Sequence, residues 1–293
     1  MTRRQFLRTT AAGSAAAAAG TSNSLAALAA DDEYRSNIGV QLYTLRNELK
    51  ADTDGTIKAV VEAGYKQGEM FGFPQSDDMI KAAQTHGLGL HSSHFEWDTA
   101  VNPSDEGFSD FKRIVEKAKE IGLTHLVIPF LHNKDRETLD DYKRVAANCN
   151  KAAAISREAG IQLAYHNHAF EFEPKDGSSG FEVFIDEFSD DMKFEIDVFW
   201  VKAGGVEPVA MIEDLSGRVS QLHLKDLKDG LELPMFNKLP KDAFQELGDG
   251  IIPMEPIIKA GKKAGVAHCH VEQDHSPNPL ASIKQSLKYL DGL

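Results

Sequence analysis

Residues 160–168 read GIQLAYHNH, a glycine followed by a mostly apolar run that ends in two histidines. Ahead of this run, apolar residues recur at the three- and four-residue spacing of one helical face: Tyr142, Val145, Cys149 and Ala152. Gly160 stands where such a helix would need a left-handed residue to end. The stretch therefore predicts a helix, a terminating glycine and a buried strand with polar residues at its end.

The same alternation recurs along the chain and predicts eight strand–helix units. Apolar runs suited to buried strands lie at 38–43, 64–71, 88–92, 125–129, 161–166, 193–197, 219–224 and 267–272. Five of these strands are preceded by a glycine that can end a helix: Gly64, Gly87, Gly122, Gly160 and Gly265. Eight such units in about 260 residues predict a single-domain α/β fold, a (β/α)8 TIM barrel.

Composition and charge limit the kinds of molecule that the protein is expected to bind. The 293 residues are 42% hydrophobic and 26% charged, which is typical of a globular chain with a sizeable core. The net charge is −13, and it is −16 beyond residue 30 because the first thirty residues hold three arginines and no acid. A surface this acidic repels phosphate backbones and anionic lipid, so we expect neither nucleic acid nor a membrane as partner. The two cysteines, Cys149 and Cys269, are expected to be buried thiols.

The first thirty residues have the charged-then-apolar order of an export signal. Residues 2–8 read TRRQFLR, an alanine-rich stretch follows at 11–19, and an Ala-Leu-Ala cleavage site lies at 27–29. The paired Arg3 and Arg4 indicate a twin-arginine leader. We therefore expect residues 1–30 to be a signal peptide, residues 31–293 to form the barrel, and the mature protein to be periplasmic or otherwise exported.

Ionisable residues collect at the predicted carboxyl ends of the strands, where TIM barrels hold their active sites. His166, Asp197, His223 and Glu272 close the fifth to eighth strands. One residue at each of four neighbouring strand ends can point at the barrel axis. Imidazole and carboxylate together suit a divalent ion such as Mn²⁺, Zn²⁺, Co²⁺ or Fe²⁺. The sequence thus predicts one divalent metal ion bound by these four side chains.

An ordered set of motifs makes the chain resemble the xylose isomerase-like superfamily of TIM barrels. The motifs are YHNH at 165–168 with FEF at 170–172, Asp197 with Trp200, HLKD at 223–226 and EQD at 272–274. This superfamily includes sugar phosphate isomerases, keto-sugar epimerases and inosose dehydratases. The resemblance implies that Asp197, His223 and Glu272 are metal ligands. Its epimerases have a glutamate at the position of His166, and histidines at this strand end resemble the dehydratase branch.

The reaction common to such enzymes begins with removal of a proton next to a ketone. A metal on the ketone oxygen and a neighbouring hydroxyl stabilises the resulting enediolate. We expect an isomerase or epimerase of an unphosphorylated sugar or cyclitol, with β-elimination from a keto-sugar, 3-keto-glycoside or inosose as the alternative. Non-catalytic carbohydrate binding is a third hypothesis. A DNA-repair endonuclease on the same barrel is disfavoured by the negative charge and the leader.

Candidates for proton transfer share strand faces with the predicted ligands. His168, two residues after His166, is a candidate general base, and Glu272 competes with it for this role. Lys225, two residues after His223, can donate to a substrate oxygen.

Candidates for substrate binding lie at other strand ends. Glu69 and His91, at the ends of the second and third strands, can hydrogen-bond sugar hydroxyls. Trp200 offers a flat apolar wall against which a sugar ring can stack.

Overall fold

The computed structural model describes residues 37–293, so the predicted leader at 1–30 lies outside the described residues. Within this part of the chain, eight parallel strands close into a barrel in sequential order, and the last strand pairs with the first. The strands are β1 (Ile38–Gln41), β2 (Gln67–Phe73), β3 (Gly89–Phe95), β4 (His125–Ile128), β5 (Gln162–His166), β6 (Met192–Asp197), β7 (Val219–Leu224) and β8 (His268–Val271). The predicted TIM barrel is confirmed.

Helices follow the strands and cover the outside of the barrel. They are α1 (Thr53–Glu62), α2 (Asp77–His86), α3 (Ser109–Glu120), α4 (Leu139–Glu158), α5 (Gly180–Glu187), α6 (Pro208–Asp214), α7 (Met254–Lys263) and α8 (Pro279–Asp291). Shorter helical segments lie in the connections: Arg46–Ala51, Asp98–Val101 and Val198–Ala203, with 3-10 turns at Leu42–Leu45, Asn133–Asp135, Phe170–Phe172 and Lys241–Ala243. Two short antiparallel ribbons pair Pro174–Lys175 with Ser178–Ser179 and Asp226–Leu227 with Phe244–Gln245.

The glycines predicted to end helices adopt the left-handed backbone that this role requires. The φ angles range from +76° to +107° at Gly64, Gly87, Gly122, Gly160 and Gly265. A side chain at these positions would cost about 1–2 kcal/mol each. The glycines therefore fix where the chain leaves a helix to enter the next strand.

The structure corrects the predicted bounds of three strands. β1 ends at Gln41, whose side-chain oxygen accepts a hydrogen bond from the Tyr43 amide (3.0 Å) and starts a 3-10 turn. β2 begins at Gln67 and runs to Phe73. β3 continues to Phe95, because its polar residues pair with both neighbouring strands. The register of β2 against β3 shifts after Gly68, so the pairing passes over His91.

The inside of the barrel is polar, whereas branched aliphatic side chains usually fill this space. Gln221 of β7 donates across the interior to Glu69 of β2 (3.0 Å) and to Ser92 of β3 (2.8 Å). Apolar residues alternate with these and face the helices, as Ile196 and Leu222 do, both fully buried. The fold thus places its hydrophobic core between strands and helices and a polar network along its axis.

Two further sequence expectations concern the described part of the chain. Cys149 and Cys269 are buried, as expected. Among residues 37–293, no helix combines the length and the apolar character needed to cross a bilayer.

Candidate metal centre and active site

The four predicted metal ligands converge at the carboxyl end of the barrel. One ligand atom from each of His166, Asp197, His223 and Glu272 lies within 4.8 Å of the others. His166 Nε2 is 3.3 Å from Asp197 Oδ2, and His223 Nδ1 is 2.9 Å from Glu272 Oε2. All four residues are buried. We call this set the mouth cluster.

Local structure orients the Asp197 carboxylate toward the cluster. Asp197 ends β6 and caps the Val198–Ala203 helix, so its Oδ1 accepts hydrogen bonds from the amides of Phe199 (2.9 Å) and Trp200 (3.1 Å). The Asp197 amide in turn donates to Asn167 Oδ1 (3.0 Å), which ties the ends of β5 and β6 together. These contacts occupy Oδ1 and leave Oδ2 facing the cluster, as a second shell of hydrogen bonds does in metal sites.

The donor set of the mouth cluster fits a divalent metal ion. Although burial opposes ionisation, Lys225 and His166 lower the pKa of Asp197 to about 2. Burial likewise opposes the charge of Glu272, yet Lys225 and His223 hold its pKa well below the usual range. His166 Nδ1 is buried and has no hydrogen-bond partner among residues 37–293. Two imidazoles and two ionised carboxylates form a nitrogen and oxygen set that Zn²⁺, Mn²⁺, Co²⁺ and Fe²⁺ accept.

Lys225 is the buried cation of this site. Its Nζ lies 3.0 Å from Asp197 Oδ2, 2.8 Å from Glu272 Oε2 and 2.9 Å from Asp274 Oδ2. Burial disfavours the ammonium, but the three carboxylates raise the pKa of Lys225 well above its usual range. Lys225 therefore stays charged and acts as a hydrogen-bond donor.

We expect the counter-charge of Lys225 to matter most when no metal is bound. In the chelated protein, Lys225→Met removes the cation shared by Asp197, Glu272 and the half-buried Asp274, and should lower the free energy of unfolding by about 3–5 kcal/mol. Saturating Zn²⁺ should recover part of this loss, because a dication replaces the ammonium. Urea unfolding with and without Zn²⁺ measures both effects. The matched control is Lys58→Met, at an exposed pair with Glu62 (3.7 Å), and an equal loss in both variants would contradict the expectation.

A cavity of about 430 Å³ opens above the mouth cluster. Aromatic side chains form much of its wall: Tyr43, Phe71, Trp97, Phe130 and Trp200. Polar lining comes from His94, His166, His168, Lys225, Glu272 and Asp274. Trp200 thus lies where the sequence placed a stacking wall, half-buried beside the predicted base. A cavity of this size with apolar walls and a polar floor suits a small organic ligand.

His168 is held by aromatic rings at the edge of the cavity. Its ring stacks on Phe170 (centroids 5.3 Å apart, planes at 8°) and lies 5.0 Å from the Trp200 ring. Nδ1 is buried and makes no hydrogen bond within the described chain. Burial first, and then His166 and Lys225, lower the pKa of His168 well below its usual range. The ring is therefore neutral and available as a proton acceptor.

Glu69 lies below the cavity and not at its wall. It is fully buried, accepts hydrogen bonds from Gln41 Nε2 (2.6 Å), Gln221 Nε2 (3.0 Å) and the Ser92 hydroxyl, and contacts His223 Nε2 (2.7 Å). The predicted contact of Glu69 with sugar hydroxyls does not fit this position. The side chain points at the barrel axis, below the strand ends where the sequence analysis placed it.

His91 also lies away from the cavity. Its ring stacks on those of His268 (centroids 3.8 Å apart) and His270 (5.0 Å), inside the barrel. The predicted role of His91 in substrate binding does not fit this location. β3 continues four residues beyond His91 to Phe95, so His91 lies below the strand end and His94 is the histidine of this strand at the cavity.

Sequence reasoning missed two residues that the structure places beside the mouth cluster. Glu195 precedes Asp197 by two positions on the same strand face, and its Oε2 is 3.2 Å from His223 Nε2. His94 lines the cavity and its Nε2 is 3.1 Å from Glu195 Oε2. Side chains two positions apart point to the same face of a strand, and this spacing from Asp197 could have identified Glu195. Its apolar neighbours Phe194 and Ile196 instead gave the strand the pattern of a buried structural element.

Comparison with known proteins shows the family of the chain. The profile of the family described as xylose isomerase-like TIM barrel matches residues 57–293. Inosose dehydratase from Mesomycoplasma hyopneumoniae strain J is 24% identical over 269 residues, which cover 82% of this chain and 88% of that protein. Inosose dehydratase from Clostridium beijerinckii is 24% identical over 255 residues, covering 78% and 85%.

Solved structures of other proteins resemble this chain in fold. A sugar phosphate isomerase/epimerase from Parabacteroides distasonis matches with a TM-score of 0.72 and 26% identity, over 87% of this chain and 93% of that one. The IOLI protein with a bound zinc atom matches with a TM-score of 0.60 over 87% and 94%, and at 15% identity this shows the fold alone.

Proposed function

Because the chain belongs to the xylose isomerase-like TIM barrel family, we propose that it is a divalent-metal-dependent enzyme that acts on a keto-sugar or keto-cyclitol. The proposed reaction is β-elimination, in which a proton leaves the carbon next to the ketone and an oxygen substituent leaves the following carbon. The observation that carries the proposal is the convergence of the mouth cluster beside the cavity that His168 lines. The relatives named inosose dehydratase support the elimination branch, which reverses the order of the two reactions expected from sequence.

The metal would be held by His166, Asp197, His223 and Glu272. When bound there, a divalent ion would polarise the ketone oxygen and so acidify the neighbouring C–H bond. The zinc atom of the IOLI structure supports a metal in a barrel of this kind. The donor set is compatible with Zn²⁺, Mn²⁺, Co²⁺ and Fe²⁺.

The chain's own residues would divide the remaining work. His168, neutral and without a partner at Nδ1, accepts the proton from carbon at a ring nitrogen. Lys225 donates a hydrogen bond to the departing oxygen and stabilises its developing negative charge. Trp200 packs against the apolar face of the substrate ring and helps to keep water from the reacting carbon.

Elimination is favoured over epimerisation by the number of available proton acceptors. A two-base epimerase needs an acceptor on each face of the carbon. Here Glu272 Oε2 already contacts His223 Nδ1 (2.9 Å) and Lys225 Nζ (2.8 Å), and a histidine stands at the strand position of the second glutamate. One acceptor, His168, and one ammonium donor, Lys225, suit removal of a proton and departure of an oxygen.

Isomerisation or epimerisation of the same class of substrate is the second candidate. It is supported by the likeness to the Parabacteroides distasonis structure, at 26% identity. It shares the metal, the base and the first proton transfer, and differs in the return of the proton to carbon. Products therefore distinguish the two reactions.

The experiment uses the full mature chain loaded with Mn²⁺ or Zn²⁺ in D₂O, with inosose and a panel of 3-keto-glycosides, followed by proton NMR. Elimination predicts loss of the proton from the carbon next to the ketone together with release of water or an alcohol, and ketonisation of the resulting enol then places deuterium on the carbon that lost the oxygen. Deuterated products that keep every oxygen would support the second candidate instead. No exchange with any ketone, in protein shown to contain metal, would overturn both.

We also propose that the protein is exported with its metal already bound, which agrees with an unphosphorylated substrate outside the cytoplasm. The support is the twin-arginine pattern of residues 2–8. Changing both Arg3 and Arg4 to lysine should trap the full-length precursor in the cytoplasm, as fractionation and mass would show. Normal export and cleavage of this double variant would contradict the proposal.

A further inference from the structure

A second group of ligand-type side chains lies directly beneath the mouth cluster. It consists of Glu69, His94, Glu195 and His223, whose ligand atoms all lie within 4.8 Å of one another. We call it the interior cluster. Glu69, Glu195 and His223 are fully buried, and the His94 side chain is 12% exposed.

Three of the four nitrogen–oxygen distances in this cluster match the separation expected between ligands of one ion, and the fourth, at 2.7 Å, is shorter. His223 Nε2 is 2.7 Å from Glu69 Oε1 and 3.2 Å from Glu195 Oε2. His94 Nε2 is 3.3 Å from Glu69 Oε1 and 3.1 Å from Glu195 Oε2. Zinc bonds of about 2.0 Å in tetrahedral geometry separate neighbouring ligand atoms by about 3.3 Å. We propose that the interior cluster is a second divalent cation site, distinct from the mouth cluster.

A further histidine, His270, lies next to the interior cluster and is fully buried. Neither of its ring nitrogens has a hydrogen-bond partner in the described part of the chain. Its Nδ1 nevertheless points at the two carboxylates, 4.0 Å from Glu69 Oε2 and 3.9 Å from Glu195 Oε1. These are the two oxygens to which Gln221 donates, so His270 lies on the far side of the carboxylates and leaves Glu69 Oε1 and Glu195 Oε2 to the proposed ion.

One oxygen of each carboxylate, the one that faces away from His94 and His223, is held by hydrogen bonds. Gln221 Nε2 donates to Glu69 Oε2 (3.0 Å) and to Glu195 Oε1 (2.7 Å), and the Ser92 hydroxyl also contacts Glu69 Oε2. This leaves Glu69 Oε1 and Glu195 Oε2 facing the two histidines. Such support orients ligands in known metal sites and lowers the entropic cost of binding.

Charge balance requires either a cation or two protonated histidines. Glu69 and Glu195 bring two negative charges into the barrel interior, where unpaired charges are costly. Without a cation, the two carboxylates would be balanced by protonated His94 and His223, whose Nε2 atoms lie within 3.3 Å of them. A dication bound by neutral imidazoles gives the same net charge and makes shorter contacts to all four residues. The state with a bound dication and the state with protonated histidines can be distinguished by measuring the metal content.

His223 belongs to both clusters through different nitrogens. Its Nδ1 faces Glu272 and its Nε2 faces Glu69 and Glu195. A neutral ring has one free lone pair, so occupation of both sites requires loss of the remaining ring proton. Filling the second site should therefore release a proton.

The test is zinc content and anomalous scattering at the zinc edge, on the full mature chain loaded with Zn²⁺ and dialysed. We expect two ions per chain and two anomalous peaks, one of them among Glu69, His94, Glu195 and His223. Glu195→Gln should remove the interior peak and keep the mouth peak, and Asp197→Asn should do the reverse.

Each outcome decides a different claim. A single peak at the mouth in the wild-type chain would overturn the interior site and leave the proposed function intact. An interior peak alone would support this site and count against the metal of the proposed function. Persistence of the interior peak in Glu195→Gln would overturn the ligand assignment. The wild-type map answers the question even if a variant does not fold.

Discussion

Glu272→Gln is expected to empty the mouth cluster of metal and to lower kcat/KM on a keto-sugar by about 10³-fold or more. The amide keeps the shape of the side chain but removes the charge that faces His223 Nδ1 at 2.9 Å. Asp197 and Asp274 remain as partners of Lys225. The barrel should therefore fold, and the loss should be chemical.

Metal content after dialysis and the thermal unfolding curve together distinguish loss of the metal from loss of the fold. The matched control is Glu62→Gln on α1, an exposed glutamate 3.7 Å from Lys58, which should keep both metal and activity. Full metal occupancy at the mouth in Glu272→Gln would show that this carboxylate is not a ligand.

His168→Ala should keep the metal and lower kcat by about 10² to 10⁴-fold, the usual contribution of a general base. His168 is not part of the mouth cluster, so the ligand set is unchanged. The ring leaves a gap beside Phe170 and Trp200, and the protein should remain folded because this contact lies at the cavity and not in the core.

The decisive readout for His168 is exchange of the substrate proton with D₂O, which should stop in the variant. His86→Ala, at the end of α2 and paired with Asp54 at 2.9 Å, is the control and should exchange at the wild-type rate. Exchange at an unchanged rate in His168→Ala would assign the base elsewhere, and Glu272 is then the candidate to examine.

The fold followed from local signals. The glycines that end helices and the buried runs after them are short-range features, and they set the order of the strands. Gly160 with the run at 161–166 is an example, since β5 spans Gln162–His166. Bounds were less accurate where polar residues continue a strand, as at Ser93 and His94 of β3, because a strand facing a polar interior lacks the apolar pattern.

The mouth cluster was predictable because its residues close consecutive strands. Asp197 and His223 pair directly across β6 and β7, so neighbouring strand ends bring them together. Glu69 and His91 were placed at the cavity by the same reasoning, and the structure puts both elsewhere. β2 and β3 continue beyond their predicted ends to Phe73 and Phe95, so both residues lie below the strand ends.

The interior cluster joins two pairs of neighbouring strands, β2 with β3 and β6 with β7, from opposite sides of the barrel. Glu69 of β2 meets Glu195 of β6 and His223 of β7 across the barrel. Strand periodicity shows which residues face inward, but the pairing of inward residues across the axis depends on barrel closure. This is why Glu195 and His94 emerged only from the three-dimensional arrangement.

We propose that a metal in the mouth cluster acidifies a carbon-bound proton of a keto-sugar or keto-cyclitol. The most direct measurement is the rate at which that proton exchanges with D₂O in chelated protein, and again after Mn²⁺ or Zn²⁺ is restored. We expect negligible exchange without metal and full recovery on its return. Equal exchange in metal-free and metal-loaded protein would contradict it.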